Sequence, residues 1–335
     1  MKAVVLRELG GPNKLQIEDV NVPKPKENEV LIRVKYAALN RRDVFITYGL
    51  YPGMTLPVIL GSDGAGVVEE IGENVTNVKV GDEVLINPSL YWGNHRAYHS
   101  PEHRILGMPS DGTFAEFVVV PEENVHKKPK HLSFEEAAAL PLAGVTAFRA
   151  VMYRGNLQKG ETVLIPGIGS GVALLALQIA VKHGADVIVT SSSDEKLAKA
   201  IQLGAKGGVN YKSSDWVKQL KSMMGGADLI IDGVGGENFV HMIQLAKPGG
   251  RIVNFGATSG PVKELVLPRI FFKHLDIRGT TMGSPEDFID MLEFFTKHKI
   301  VPYIDRCYPL EEIAIAQQYM EKGENFGKIT IRIEE

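Results

Sequence analysis

The stretch "VLIPGIGSGVALLALQIA", Val163 to Ala180, decides how this chain is read. An apolar run of strand length meets a turn holding Gly167, Gly169, Ser170 and Gly171, and Val172 and Ala173 then open an apolar helix. Glycine lets the backbone turn sharply and lets a phosphate come close to it. The helix behind the turn offers unpaired N–H groups and the positive end of its dipole. A glycine-rich turn alone says little, but one set between a buried strand and a helix is a dinucleotide-binding signature. Strand and helix patterns go on alternating downstream: "DVIVT" before "DEKLAKAIQLG", "GGVNY" before "DWVKQLKSMM", "ADLIIDGVGG" before "NFVHMIQLAK", then "RIVNFG" and "LDIRGT". Such repeats with short links predict a doubly wound parallel sheet of the Rossmann type.

The second strand bears on which dinucleotide is bound. An NAD site usually places an acid about 20 residues beyond the turn, on the ribose 2′-OH. Here the strand runs into "VIVTSSSDEK"; Ser191 takes the place of the acid, Ser192 and Ser193 stand beside it, and Lys196 is within reach. Hydroxyls and a cation suit a 2′-phosphate, so the expected cofactor is NADP(H). Tyr211, ending the third strand, is expected over the adenosine, and Asp194 is read as the cap of a helix beginning at Glu195.

Upstream the pattern differs. "EVLIRVKYAAL", "AGVVEEIG", "DEVLIN" and "FAEFVVV" are short Val/Ile-rich runs bounded by turn residues, which predicts a mainly β, antiparallel or barrel-like unit. An Ala-rich stretch opens at Ser133 with a capping box to Glu136. The tail adds two helical patterns and a last strand, "GKITIRI". A length of 335 residues fits about two domains. The net charge of −3 gives no electrostatic case for nucleic acid or an anionic membrane. The single cysteine, Cys307, excludes an internal disulfide and a cysteine zinc cage. With no leader pattern and no apolar run of membrane length, a cytoplasmic location is the default expectation.

"GSDGAGVVEEIGENVTNVKVGDEV" (61–84), "AALPLAGVTAFRAV" (138–151), the glycine-rich turn, "IDGVGG" (231–236) and "GKITI" (327–331) together resemble the medium-chain dehydrogenase/reductase superfamily, and within it the zinc-free quinone oxidoreductase branch. The resemblance covers essentially the whole chain. It implies a GroES-like catalytic domain over 1–143 and 283–335 and a Rossmann domain over 144–282. In the zinc alcohol dehydrogenases of that superfamily, catalytic zinc rests on a Cys, a His and a second Cys; the matching places here hold Asn40, Ser62 and Leu142, with Asp63 next to the second. A structural zinc in those relatives rests on four Cys, matched by Trp92, His95, Tyr98 and Leu106. No metal is therefore expected. The alternative is a site on His95, His99 and His103, which fall four apart and would share one face of a helix, although Pro101 interrupts that pattern.

The resemblance also names a candidate site on "LNRRDVFITYGLY" (39–51). Asn40 is expected against the nicotinamide, donating to a substrate oxygen. Phe45, Tyr48 and Tyr51 are candidate pocket residues, with the two tyrosines either proton donors or apolar lining, and Asp43 either a brace or a base. Thr146, Asn254, Phe255, Gly256, Met282 and Gly283 are expected around the nicotinamide, with Asn325 and Lys328 closing from the tail. The implied activity is an NADPH-dependent, zinc-independent reduction of a quinone, enone or related conjugated carbonyl. The alternatives are a metal-free alcohol dehydrogenase or aldehyde reductase and a non-catalytic NADPH-binding protein. The expected partner is a small molecule. A homodimer or tetramer is also expected, paired through the region 264–281, where one of Phe271 and Phe272 would face the partner and the other pack inward.

Overall fold

A computed structural model of the chain describes residues 1–333. It divides into two compact units, Gly144–Met282 and a second made of Met1–Ala143 with the stretch from Gly283 onward.

The Gly144–Met282 unit is built on six strands: Thr162–Ile165, Asp186–Ser191, Gly207–Asn210, Ala227–Asp232, Ala246–Asn254 and Asp276–Gly279. Every pairing is parallel, and the spatial order is third, second, first, fourth, fifth, sixth. This is the doubly wound order, in which ligands bind beyond the carboxyl ends of the strands where the order reverses. Val163, Leu164 and Ile165 of the first strand and Leu229, Ile230 and Ile231 of the fourth are fully buried. Burial of both faces explains why these strands read as continuous apolar runs instead of alternating. The helix Gly171–His183 stops at Gly184, which takes the left-handed conformation at φ 96°.

The other unit carries a seven-stranded sheet centred on the long strand Glu29–Ala38, which pairs antiparallel with Asp63–Ile71, Phe117–Pro121 and Lys328–Arg332. Only the pair Ile304–Pro309 and Lys328–Arg332 in that sheet is parallel. A separate three-stranded antiparallel sheet holds Lys2–Leu6 between Leu15–Asp19 and Val58–Ile59. The register matters for chemistry: Ala38 lies opposite Asp63 on one side and Thr330 on the other. The residues just past the end of the central strand are thus brought level with Asp63 and Lys328.

The capping box at Ser133 forms as read: Ser133 Oγ accepts from the Glu136 amide at 3.2 Å, and Glu136 accepts from the Ser133 amide at 2.7 Å. The Ala-rich run behind it is broken into Phe134–Ala138 and Pro141–Phe148, followed by a π-helical segment, Arg149–Arg154. Pro141 has no N–H to continue the first helix but fits the first turn of the next. No helix among the described residues is long and apolar enough to cross a membrane.

Candidate functional site

A buried polar centre forms where the ends of the strands meet. The Lys328 ammonium is 3% exposed and donates to the Leu39 carbonyl at 2.8 Å, Asn40 Oδ1 at 2.9 Å and Asp63 Oδ2 at 2.8 Å. Asn40 Nδ2 donates to the same Asp63 oxygen at 2.9 Å, and the Leu142 amide donates to Asp63 Oδ1 at 2.7 Å. The amide of Asn40 is therefore oriented, its oxygen toward the ammonium and its nitrogen toward the carboxylate. One N–H of Nδ2 is left over beyond the bond to Asp63, on a residue that is 7% exposed. Behind it, Asp43 Oδ2 accepts from the Asn40 main-chain N–H at 2.7 Å while Oδ1 has no partner. Burial pushes the Asp43 carboxyl up to about 6, against the pull of Arg42 and of the Asn40 main-chain N–H.

These residues do not fit zinc. Leu142 has no donor atom. Ser62 Oγ donates to the Leu106 carbonyl at 2.8 Å and accepts from the Arg42 guanidinium at 2.7 Å, so a cation already stands at that position. Asn40 and Asp63 are held by an ammonium. Zinc prefers thiolate and imidazole donors, and neither is present here.

The lobe from Trp92 to Leu106, matched above to the structural-zinc cysteines, is filled by rings. Trp92 is 3% exposed and donates from its indole nitrogen to the His95 carbonyl at 3.0 Å. The rings of His99 and His103 meet it edge-on at 5.6 and 5.1 Å and lie 4.6 Å from each other, while His95 stacks on Tyr98 at 4.1 Å. Leu106 is buried in the neighbouring hydrophobic core. The helix that would align the three histidines does not form, because the segment is a series of turns and the short strand Arg104–Ile105. Among the described residues no group of three His, Cys, Asp or Glu is arranged to hold a metal ion.

At the glycine-rich turn, Gly167 has φ 66° and Gly169 φ 135°, and a Cβ on Gly167 would lie 2.7 Å from Val234 Cγ2. Thr190, on the second strand, pins the turn by accepting from the amides of Gly167 and Ile168 at 3.1 and 2.8 Å. Ser170 caps the helix, accepting from the Ala173 amide, and Gly171 and Val172 are half-buried behind it. A narrow, glycine-only backbone at a capped helix N-terminus fits a dinucleotide pyrophosphate. The second strand ends at Ser191, which is buried and accepts from the Ser193 amide at 3.2 Å. The reading of the cap is corrected by one residue: Ser193, not Asp194, caps the next helix, accepting from the Lys196 amide. Asp194 is the first helical residue, and its carboxylate accepts from Asn210 Nδ2 at 2.8 Å. Ser192 and Lys196 are half-buried beside it. Tyr211 is 39% exposed, and its amide donates to the Ser191 carbonyl at 2.9 Å.

The remaining residues named from the sequence fall into three groups. Asn254 braces a loop: its Nδ2 donates to Asp232 Oδ2 at 3.0 Å and to the Gly256 carbonyl at 2.8 Å. The Phe255 ring covers Gly233, where a Cβ would meet it at 2.4 Å, which accounts for the glycine in "IDGVGG". Met282 is buried at φ 46° beside the buried Gly283, Thr146 is 5% exposed, and Asn325 Nδ2 donates to the Gly327 carbonyl at 2.9 Å. On Arg41–Thr47, Phe45 is half-buried, and the half-buried Tyr51 lies 4.9 Å beneath the Arg42 guanidinium. Tyr48 is 42% exposed, and Glu321 beside it raises its phenol. Lys328, expected to close the site from the tail, supplies the cation of the Asn40 centre. Arg42 was missed, although the arginine pair between Asn40 and Asp43 was a visible signal.

A zinc-binding dehydrogenase model matches residues 171–297, and an alcohol dehydrogenase GroES-like domain model matches residues 26–130. The zinc-type alcohol dehydrogenase-like protein YogA of Leptosphaeria maculans is 39% identical, over 95% of this chain and 94% of its own. The chain belongs to the medium-chain dehydrogenase/reductase superfamily. It is an oxidoreductase of that superfamily, whose dehydrogenases use nicotinamide cofactors. The mouse quinone oxidoreductase is 31% identical, over 96% of this chain and 95% of its own. A solved NAD-dependent alcohol dehydrogenase superposes with a TM-score of 0.95 at 40% identity, over the whole of both chains. The zinc-binding family model spans none of Asn40, Ser62 and Leu142, so that match leaves the donor set of this superfamily member to be read from its own residues.

Proposed function

We propose that this medium-chain dehydrogenase/reductase is an NADPH-dependent, zinc-independent reductase of a quinone, enone or related conjugated carbonyl. The observation that carries this reading is the Asn40–Asp63–Lys328 centre, where an oriented amide and a buried ion pair stand in place of a zinc donor set. A Lewis acid would stabilise a localised alkoxide. Without one, the favoured acceptor spreads its charge into an enolate or quinol. NADPH, when bound, supplies the hydride. The leftover N–H of Asn40 Nδ2 donates to the substrate oxygen, and Lys328 and Asp63 hold the amide in the orientation that presents that N–H. Tyr51 and Phe45 would line the substrate side, and Thr146 would face the nicotinamide.

Preference for the 2′-phosphate is supported by Ser191 at the strand end and by Asp194 being bound to Asn210. A charge-assisted hydrogen bond is worth roughly 1.5–3 kcal/mol, so Lys196→Ala should weaken NADPH about ten- to a hundredfold and leave NADH nearly unchanged. Fluorescence titration of both cofactors checks this, and equal loss for both would refute the assignment. Substrate class is tested by following NADPH loss with quinones, enones and aldehydes in parallel.

A second reading, an NAD-dependent alcohol dehydrogenase, is favoured by the 40% identity to a solved enzyme of that description. It predicts alcohol oxidation with NAD and little consumption of NADPH by any quinone. A homodimer is also proposed. Asp276–Gly279 is an edge strand, and Phe271, Phe272 and Ile277 beside or on it are 56%, 77% and 41% exposed. Neither phenylalanine packs inward as expected; their rings lie 4.6 Å apart. Light scattering at micromolar concentration should show a dimer or larger. A cytoplasmic location is proposed with it, consistent with the free Cys307.

A further inference from the structure

We infer, resting on the cofactor reading above, that Asp232 is a positioning residue for the nicotinamide half of the cofactor: it clamps the loops beyond the fourth and fifth strands of the Gly144–Met282 unit into the shape that receives that half. In the doubly wound order two mononucleotide halves share the crevice at the glycine-rich turn. The second and third strands lie on one side of the first strand and the fourth to sixth on the other. Ser191, ending the second strand, marks the adenosine side. Asp232 ends the fourth strand and Asn254 the fifth, on the opposite side.

Asp232 is 1% exposed. Its Oδ1 accepts from the Val234 main-chain N–H at 3.0 Å, its Oδ2 accepts from Asn254 Nδ2 at 3.0 Å, and both oxygens share the Gly235 main-chain N–H at 3.3 Å. Asn254 Nδ2 also donates to the Gly256 carbonyl at 2.8 Å. One carboxylate thus ties the turn after the fourth strand to the loop after the fifth. The main chain closes the same seam: the Ser259 N–H donates to the Val234 carbonyl and the Gly236 N–H to the Gly260 carbonyl, both at 2.9 Å. Gly235 and Gly236 have φ 62° and 57°, and a Cβ on Gly235 would lie 2.9 Å from Ala257 Cα. The two loops therefore touch where only glycine fits.

A carboxylate is unfavourable to bury, and the strand leading to it is apolar, with Ile230 and Ile231 fully buried. Burial raises the Asp232 carboxyl, while the N–H groups of Val234, Asn254 and Gly235 pull it down. An amide of the same shape has one acceptor oxygen in place of two. At position 232 it would set its own N–H groups against either Asn254 Nδ2 or the N–H groups of the turn, so it cannot serve both loops.

The test is calorimetric titration of the full-length chain with NADPH and with adenosine 2′,5′-bisphosphate, which carries the adenosine half alone. Asp232→Asn should weaken NADPH about tenfold and the bisphosphate by less than about twofold. A small loss for the bisphosphate is expected because Val234 also stands against Gly167. Thr190→Val, which loosens the glycine-rich turn itself, should weaken both ligands alike. Asn254→Ala should repeat the split of Asp232→Asn, and the double variant should lose no more than the larger single loss, because the two side chains act through each other. If Asp232→Asn does not fold, Asn254→Ala carries the test by the same split. Equal loss of both ligands in either single variant, no loss of NADPH, additive losses in the double variant, or the same split in Thr190→Val would each overturn the inference. If wild type prefers NADH, then NADH and ADP replace the pair and the same split is expected. A wild type that binds neither dinucleotide would overturn the cofactor reading and this inference with it.

Discussion

Two regions of one unit match the places that the family resemblance assigns to zinc ligands, and they are filled in opposite ways. At the Asn40 centre the filling is ionic: an ammonium, a carboxylate and an amide hold one another, with their hydrogen-bonding groups directed inward. At the Trp92 lobe it is apolar and aromatic, with two imidazole edges against an indole. On the proposed reading, the ionic centre keeps polar groups for a substrate oxygen and so retains chemistry. The aromatic lobe retains shape. The difference separates what a metal does for reaction from what it does for folding.

The sharpest way to break the comparison is to remove one charge. Asp63→Leu leaves the Lys328 ammonium buried and unpaired, and should destabilise the protein by roughly 3–5 kcal/mol. Combining it with Lys328→Met should recover most of that stability while abolishing turnover, because the Asn40 amide loses its orientation. Denaturant melts of the two single variants and the double variant test this, and additive losses would show that the pair is not coupled.

Truncating the ring cluster should have a somewhat smaller effect and a different signature. Trp92→Ala should cost about 3 kcal/mol through lost packing, with KM and kcat for NADPH and acceptor nearly unchanged at temperatures where the variant is folded. A fall in kcat matching that of Asp63→Leu would mean that the lobe is part of the reacting site.

The two regions also respond to acid in opposite senses. The Asp43 carboxyl, behind Asn40, is raised from 3.8 to about 6 by burial, so its contribution to stability is fully present below about pH 4 and is lost as pH rises through about 6. That contribution is roughly 3 kcal/mol at most. His103, in the lobe, is lowered from 6.5 to about 4, first by burial and then by His99, so its contribution is present above about pH 6.5 and is lost as pH falls through about 4. Relative to wild type, Asp43→Asn should therefore gain stability between about pH 4 and 6, and His103→Gln should gain it on the acid side of the same window. Thermal melts across that range check both. His126, also held down to about 4 by burial, stays constant in these comparisons.

Local features of the chain were legible before its structure. The turn at Gly167 and Gly169 and the capping box at Ser133 are made by residues a few positions apart, so spacing alone specifies them. The Asn40 centre is different in kind. Asn40, Asp63 and Lys328 lie 23 and 265 positions apart along the hydrogen bonds that join them, and only the pairing of three strands brings them level. Lys328 could be marked as important, yet its partner could not. The histidine spacing misled in another way: a separation of four implies a shared face only on a helix, and Pro101 and the turns around it prevent one. The cap at Ser193 was missed by one position because three consecutive serines and an aspartate all have capping side chains.

The central claim is that the Asn40–Asp63–Lys328 centre serves hydride transfer without a metal. The most direct measurement is the rate of NADPH oxidation by a quinone before and after exhaustive chelation, with zinc counted in the same samples. The account predicts an unchanged rate in protein whose zinc content is near zero. A rate that falls as zinc is removed, and returns when zinc is added back, would contradict it.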